Sequence, residues 1–252
     1  MAENQVERIV FWNVRAGGGR RVDRIADALG GWRPDVVALC EFRATPPSLR
    51  LAELIAGMGL FHQLTTAEAR APAANRLLLA STRPLRRVRL RNGPREPGQW
   101  LLAEVAAERT YSLGVMHVPN QVTGRKYVYH DAVLDVARRW RRGPALLVGD
   151  TNTGRIGLDE EAPVFGRRED GWMTALDGLG WRDGFRYLHG EARAYTWYSP
   201  NGRNGFRLDE AFVNRRLLPR LLSTRYEWAV PDGGERRDAI SDHAALIVEL
   251  ES

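Results

Sequence analysis

Polar side chains stand at the ends of several apolar runs in this 252-residue sequence. The run "LLVGDTNTG" (Leu146–Gly154), for example, finishes in Asp150 and Asn152. One carboxylate at the end of a strand is usually a turn or capping residue. Six such endings are harder to explain in that way. Together they hold four carboxylates, two histidines and three amides: Asn13, Glu41, His117, Asn120, Asp150, Asn152, Asp209, Asp242 and His243.

These residue types predict a site for a hard divalent cation. Aspartate, glutamate, asparagine and histidine without cysteine supply the ligands that Mg²⁺ or Mn²⁺ prefers. The one cysteine, Cys40, lies inside the apolar run "DVVALC", where the simplest interpretation is a small buried hydrophobe. A single cysteine excludes a disulfide framework and fits a reducing cytoplasm.

The charge balance favours an anionic partner. The chain has 37 Lys and Arg against 31 Asp and Glu, a formal net charge of +6, and a sequence pI near 10.0. Nearly all of the cations are arginine, whose forked guanidinium matches the phosphate oxygens of nucleic-acid backbones. The alternative is a codon bias that replaces lysine with arginine, since net charge indicates partners only weakly.

The hydrophobic pattern predicts a mixed α/β chain that forms one domain over residues 1–252. Helical spacing predicts helices from Val22 to a stop at Gly30-Gly31, around Leu51–Met58, and over Tyr127–Trp140. Strands are predicted over Arg8–Val14, Asp35–Cys40, Arg76–Ser81, Trp100–Val105, Tyr111–Val118, Ala145–Gly149, Arg207–Val213 and Ala245–Leu250. These strands are more than one sheet comfortably holds, so we expect two packed sheets with helices outside.

Nothing in the sequence predicts a membrane segment. The N-terminal "MAENQVERIV" lacks the basic and apolar regions of a signal peptide. No apolar run approaches the length needed to cross a bilayer. We therefore expect a cytoplasmic, monomeric protein without an obligate protein partner.

Six motifs in a fixed order resemble those of the endonuclease/exonuclease/phosphatase superfamily, and within it the exonuclease III-like abasic-site endonucleases. The motifs are "FWNVR", "PDVVALCEFR", "MHVPN", "LLVGDTNTG", "GFRLDEAFVN" and "ISDHAALIVEL", and they span nearly the whole chain. Each one is weak alone, but all six in family order make a specific signature. The resemblance implies a four-layer α/β/β/α sandwich, in which two packed mixed β-sheets are flanked by helices.

The resemblance also implies roles for the candidate residues. Glu41 is expected to be the main metal ligand, with Asn13 and Asp242 around it and Mg²⁺ (or Mn²⁺) as the cofactor. Asp150 and Asn152 are expected beyond the scissile phosphate, where Asp150 activates or orients water. The other implied contacts are those of His243 with the phosphate, Asp209 with His243, Asn120 with the phosphate, and His117 at a position where related enzymes have Tyr or His.

Further implied contacts concern the substrate. Trp197, Phe206 and Leu208 match residues that wall a pocket for a flipped abasic sugar, although Trp197 and Phe206 are also typical core aromatics. In the loop "RAGGGRR", Arg20 and Arg21 favour a contact with DNA over a merely flexible turn.

The sequence departs from the family pattern at two places. Arg15 replaces an Asn or Asp and would repel a metal unless its side chain turns outward. The segment "TGRIGLDEEAP" replaces the amide-rich stretch that many family members carry there, on the product side.

Three function classes remain open. The first is a Mg²⁺-dependent DNA nuclease that hydrolyses the phosphodiester backbone at abasic sites or 3′ ends, as in DNA repair. The alternative is a metal-dependent phosphodiesterase or phosphatase for lipid or small phosphoester substrates, because a fold does not fix the substrate. The third is a non-catalytic DNA-binding relative, which the complete set of carboxylates and histidines disfavours.

Overall fold

Two six-stranded mixed β-sheets pack face to face in the computed structural model, which describes residues 6–201, 203–230 and 240–252. The strands are β1 (Val6–Asn13), β2 (Val36–Phe42), β3 (His62–Thr65), β4 (Arg76–Ser81), β5 (Leu85–Val88), β6 (Trp100–Val105), β7 (Tyr111–His117), β8 (Ala145–Asp150), β9 (Trp181–Asp183), β10 (Trp197–Tyr198), β11 (Gly205–Phe206), β12 (Asp209–Asn214), β13 (Leu221–Glu227) and β14 (Ala245–Glu251). The helices are α1 (Val22–Trp32), α2 (Pro46–Gly57), α3 (Lys126–Arg138), α4 (Arg167–Gly178) and α5 (Gly184–His189). Short 3₁₀ turns cover Gly19–Arg21, Gln121–Thr123 and Leu218–Arg220.

The two sheets share one plan. The first has the strand order β13-β14-β1-β2-β4-β3, the second has the order β5-β6-β7-β8-β12-β9, and β10 and β11 form a separate two-stranded ribbon. Each six-stranded sheet contains one parallel pair, β1 with β2 and β7 with β8, while the other pairs are antiparallel. Helices α1 and α3 make the crossovers that these parallel pairs require.

Alternation along the strands divides the core into three layers. In β1, Ile9 and Phe11 face the other sheet, whereas Val10 and Trp12 face the helices α1 and α2. A third apolar cluster packs the second sheet against α3 and α4. This arrangement is the four-layer α/β/β/α sandwich that the sequence resemblance implied.

The predicted central strands and the helix predicted over Tyr127–Trp140 agree with the observed bounds to within two residues, but the other two helices differ. The helix predicted around Leu51–Met58 begins five residues earlier, at Pro46, because proline is well suited to the first turn of a helix.

Gly30 and Gly31 do not stop the first helix, because α1 continues through both and ends at Trp32. Arg33 then takes a left-handed conformation with a φ of 49° and closes the last turn. The Trp32 ring packs edge-on against Trp12 at 5.1 Å, a tertiary contact that offsets the low helix propensity of glycine.

Eight elements were not predicted from the sequence. Most are short or lie at a sheet edge, where side chains are partly exposed and the apolar alternation is weak: β3, β5, β9, β10, β11, β13, α4 and α5. Within the described residues, no helix has both the length and the apolar character that crossing a bilayer requires.

Candidate active site

The polar strand ends meet at one edge of the sandwich. The parallel strands β1, β2, β7 and β8 all finish there, and the antiparallel strands β12 and β14 start there. They surround a cavity of about 370 Å³. Ten of the predicted site residues line it: Asn13, Glu41, His117, Asn120, Asp150, Asn152, Trp197, Leu208, Asp242 and His243.

Asp150 lies at the centre of this cavity and its carboxylate is held on both oxygens. Oδ2 accepts a hydrogen bond from Asn13 Nδ2 at 3.0 Å, and Oδ1 accepts one from the backbone N–H of Asn152 at 3.1 Å. The Nε2 atoms of His117 and His243 each lie 3.8 Å from the same Oδ2. That distance is too long for a hydrogen bond, so both imidazoles face Asp150 without being bonded to it.

His243 and Asp209 form a buried pair that joins the two sheets. His243 Nδ1 lies 2.9 Å from Asp209 Oδ2, and the side chain of Asp209 is fully buried. Burial alone would lower the pKa of His243, but the carboxylates of Asp209 and Asp150 outweigh it and raise that pKa to about 10. The imidazole is therefore held as a cation with its Nε2 turned toward the cavity.

Backbone contacts fix where His243 stands. Its carbonyl accepts a hydrogen bond from Trp12 Nε1 at 2.9 Å, and its N–H donates to Ser241 Oγ at 3.3 Å. Ser241 Oγ in turn donates to the carbonyl of Asn13 at 2.5 Å. The segment before β14 is thus tied to the end of β1, which sets the imidazole beside Asp150.

Glu41 occupies a β-bulge at the end of β2. The pairing with β4 shifts register between Cys40 and Phe42, and Glu41 itself has a φ of 55°. A non-glycine residue in this conformation is strained, and such strain is concentrated at functional sites. One carboxylate oxygen of Glu41 accepts the N–H of Ala16 at 2.6 Å, and the bulge aims this carboxylate into the cavity.

The side chains around Glu41 fit a hard divalent cation. Oδ1 of Asp242 is buried and has no hydrogen-bond partner among the described residues, which is costly unless a ligand satisfies it. Arg15 lies beside this group as an exposed ion-pair partner: its Nε is 3.7 Å from the other carboxylate oxygen of Asp242, Oδ2, and its side chain is 54% exposed. Glu41, Asp242 and Asn13 therefore offer oxygen atoms from one side of the cavity.

A second group of candidate ligand atoms overlaps the histidine pair. One ligand atom each from Asp150, Asp209 and His243 lies within 4.8 Å of the others. Two of these three residues are already joined by the hydrogen bond between Asp209 and His243, which occupies their facing atoms. We therefore favour Glu41 and Asp242 as the primary carboxylate ligands.

Lys126 supports the site from behind, although no motif in the sequence singled it out. Its ammonium donates to the carbonyl of Asn152 at 2.6 Å and pairs with Glu169 at 3.2 Å, and it is 4% exposed. Asn152 has a φ of 49° and donates through Nδ2 to the carbonyl of Val118 at 2.8 Å. A signal was present in the composition: Lys126 is the only lysine among 37 Lys and Arg.

An apolar wall closes one side of the cavity. Trp197 and Leu208 line it, and the Trp197 ring lies 5.9 Å from the ring of Phe206 and 6.3 Å from that of His243. Phe206 is 7% exposed and supports Trp197 from behind, so it does not line the cavity itself.

The two arginines of the glycine-rich loop lie outside the cavity lining. Arg20 is exposed. Arg21 is committed to the protein backbone, since its guanidinium donates to the carbonyls of Val14, Arg15 and Ile240. Its role within the described chain is to tie the loop to the segment before β14.

The segment "TGRIGLDEEAP" packs on a buried ion network rather than on the cavity. Arg207 is fully buried and pairs with Asp159 at 2.7 Å, with Asp183 at 2.5 Å and with Glu210 at 3.3 Å. Glu210 also accepts a hydrogen bond from Thr151 at 2.9 Å, next to the central aspartate. This network fixes the chain on both sides of the strand end that carries Asp209.

Sequence comparisons place the chain among enzymes of phosphoester chemistry. The protein-family model described as "Endonuclease/Exonuclease/phosphatase family" matches residues 10–243. Over 150 residues, 50% of this chain, the sequence is 32% identical to "Recombination repair protein 1" of Drosophila melanogaster, covering 21% of it. Over 145 residues, 52% of this chain, it is 26% identical to an "Exodeoxyribonuclease" of Streptococcus pneumoniae serotype 4, covering 48% of it. The matches thus span less than half the length of either relative.

Solved structures with the same fold cover nearly the whole chain. The 3′ phosphatase NExo from Neisseria, bound to a product DNA hairpin, superposes with a TM-score of 0.80 at 21% identity, covering 98% of this chain and 100% of that one. An AP endonuclease from Archaeoglobus fulgidus gives a TM-score of 0.80 at 18% identity with the same coverage. At this level of identity, the likeness establishes the fold.

Proposed function

The chain belongs to the endonuclease/exonuclease/phosphatase family, and we propose that it is a Mg²⁺-dependent DNA repair nuclease acting at abasic sites or 3′ ends. One observation carries the proposal: Asp150 and His243 face the same cavity as the carboxylates of Glu41 and Asp242, and the hydrogen bond from Asn13 to Asp150 joins the two groups. This combination of cationic and neutral hydrogen-bond donors, acceptors and candidate metal ligands is what hydrolysis of a phosphodiester requires.

Glu41 and Asp242, with Asn13 beside them, would hold the divalent cation. A bound Mg²⁺ would neutralise charge on the phosphate oxygens during cleavage. Asn13 also donates to Asp150 through Nδ2, so one amide couples the proposed metal side to the carboxylate at the centre of the cavity.

The remaining groups act through position. His243, oriented by Asp209 through Nδ1, presents Nε2 to a phosphate oxygen and supports the negative charge that grows there. Asp150 is fixed by Asn13 and Asn152 and accepts a hydrogen bond from the attacking water, which it orients in line. Asn120, exposed at the rim of the cavity, donates to a phosphate oxygen.

Three features support DNA as the substrate. The net charge is +6, and a positively charged protein gains affinity for DNA because it releases counterions from the phosphates. The apolar wall of Trp197 and Leu208 suits a sugar that has lost its base. The relatives are named for recombination repair and exodeoxyribonuclease activity, and the structural neighbours for 3′ phosphatase and AP endonuclease activity.

The test uses end-labelled duplexes, intact or with one abasic site, incubated with Mg²⁺ beside a chromogenic phosphodiester and a lipid phosphoester. We expect cleavage of the abasic duplex, removal of nucleotides from 3′ ends, or both, at rates that exceed those on the small substrates. The variant Asp150→Asn serves as the inactive control. Preference for the lipid or the small phosphoester would replace this proposal with the alternative hydrolase.

A further inference from the structure

A second cavity of about 640 Å³ adjoins the catalytic one. Glu96 and Arg125 line both, and their side chains form an ion pair at 2.7 Å along the shared wall. The second cavity lies between the loop that precedes β6 and the outer face of α3. Its lining includes Arg91, Arg95, Val128, Tyr129 and Ala132.

Two of the arginines in this second cavity are available to a ligand. Arg91 and Arg95 are exposed, and among the described residues neither guanidinium forms a hydrogen bond or an ion pair. Arg91 ends the basic run "RPLRRVRLR", in which Arg86 pairs with Glu104 and Arg87 donates to the carbonyl of Thr65. Arg86 and Arg87 are thus held by contacts within the protein, whereas Arg91 lines a cavity.

The acidic residues of the second cavity are already paired. Glu96 is bound by Arg125 at 2.7 Å. Asp135 forms an ion pair with Arg139 at 2.8 Å and accepts a hydrogen bond from Asn92 at 3.0 Å. An anion entering the cavity therefore meets two free guanidinium groups and no free carboxylate among the described lining residues.

The floor of the second cavity is apolar. Val128 is an apolar residue of α3 but is 72% exposed, and Tyr129 and Ala132 line the cavity beside it. The cationic rim formed by Arg91 and Arg95 and this apolar floor together suit a nucleotide, because its phosphate is anionic and its sugar and base present flat or apolar faces.

We propose that this adjoining cavity is a nucleotide subsite, which holds the unit of the substrate strand next to the reacting phosphodiester. Arg91 and Arg95 bind the neighbouring phosphate, while the sugar and base lie on Val128 and Ala132. The strand passes the ion pair of Glu96 and Arg125 on its way between the two cavities. This inference rests on the proposed function, because it requires a polymeric nucleic acid as the substrate.

The test measures binding of an abasic duplex in EDTA across a salt series, so that it does not depend on cleavage. For Arg91→Gln/Arg95→Gln, we expect affinity to fall about tenfold or more and the slope of log K against log salt to lose roughly 0.9 for each phosphate no longer neutralised. Arg141→Gln/Arg216→Gln removes the same charge from exposed positions that line neither cavity, and it should leave the slope unchanged.

A third variant removes a negative charge from the wall between the two cavities, so it should strengthen DNA binding where the first variant weakens it. Glu96→Gln frees Arg125 for the strand, so duplex affinity should rise a few-fold. General damage to the fold would not improve binding. An unchanged salt slope in Arg91→Gln/Arg95→Gln, or an equal change in the control pair, would overturn the subsite.

Cleavage kinetics separate this inference from the proposed function. In Arg91→Gln/Arg95→Gln, the loss of kcat/KM on the duplex should exceed the loss on the small chromogenic diester, which is too short to reach both cavities. Equal losses on both substrates would contradict the subsite. If the wild-type protein cleaves neither substrate, the nuclease proposal fails while the salt slopes still decide whether the cavity binds a strand.

Discussion

The imidazole Nδ1 of His243 lies 2.9 Å from Oδ2 of Asp209, although the two residues are 34 positions apart and are carried by strands of different sheets, one at the start of β12 and the other just before β14. Asp209 begins β12 and is fully buried, while His243 stands just before β14. An unpaired carboxylate at such a depth would destabilise the fold, so the ion pair with His243 offsets the cost of burying Asp209, and Asp209 stabilises the buried imidazolium of His243. The edge that carries the proposed active site is therefore built across the interface of the sandwich.

The first prediction tests this pair in catalysis. Asp209→Asn and His243→Asn should each lower single-turnover cleavage of an abasic duplex by roughly 10²–10⁴-fold, because each removes the oriented donor. The double variant should be little slower than either single variant, since the two groups act as a unit. Multiplicative losses would refute the pair and leave Asp150 as the stronger candidate for activating water.

The second prediction concerns the bulge residue Glu41. Glu41→Gln keeps the shape of the side chain and removes its charge, so activity should be lost and the Mg²⁺ requirement should shift to much higher concentration. Stability should stay nearly unchanged, because the carboxylate makes one backbone hydrogen bond and no ion pair among the described residues.

Calorimetric titration with Mg²⁺ checks the role of Glu41 directly. Glu53→Gln, at an exposed position on α2, is the matched control and should bind Mg²⁺ as the wild type does. Wild-type binding by Glu41→Gln would show that Glu41 is not a ligand.

The third prediction concerns the apolar wall. Trp197→Ala should lower the cleavage rate at an abasic site by about tenfold or more and reduce the preference for abasic over intact duplex, because selection by shape is lost. Trp140→Ala truncates another half-buried tryptophan that lies outside the cavity, and it controls for lost packing. Wild-type preference in Trp197→Ala would assign this residue to the core alone.

The fourth prediction assigns Lys126 a positioning role behind Asn152. Lys126→Met should lower kcat more than it raises KM, since the carbonyl of Asn152 loses its donor. It should also lower the free energy of unfolding by about 3 kcal/mol, because the carboxylate of Glu169 is left buried without its cation.

A double variant separates these two effects of Lys126. Lys126→Met/Glu169→Gln removes both charges, so much of the stability should return while kcat stays low. Recovery of kcat together with stability, measured by urea unfolding beside steady-state kinetics, would make the role of Lys126 purely structural.

The fifth prediction concerns acid stability. Burial, and then the Lys126 ammonium, lower the pKa of His130 from 6.5 to about 3. Its Nε2 faces Thr153 Oγ1 at 3.1 Å and its ring stacks on Trp172 at 4.3 Å. Because the unfolded chain binds the proton more readily, stability should fall as pH drops from about 6.5 toward 3, by up to about 1.4 kcal/mol per pH unit.

Urea unfolding at pH 7 and pH 5 measures this slope for His130. His130→Gln should be less stable at pH 7 but should lose less stability on going to pH 5. His62→Gln, at a half-buried position on β3, controls for the replacement of a histidine as such. An equal slope in the His130 variant would contradict the assignment.

The sequence by itself determined the central strands, because buried strands need continuous apolar runs and polar residues mark where they end. Asp150 and Asn152 could be singled out in this way, as could Glu41 after β2. The edge strands and α5 could not, since their side chains are partly exposed and the same local pattern also fits loops.

Only the tertiary structure decided which of these residues act together. It brought Asp209 to His243 across two sheets, and it turned Arg21 toward backbone carbonyls while Arg91 lines a cavity without a partner among the described residues. It also gave the single lysine, Lys126, a buried partner. The physical reason is that a side chain's type is local, whereas its direction, burial and partners depend on how distant strands pack and on which polar groups that packing must satisfy.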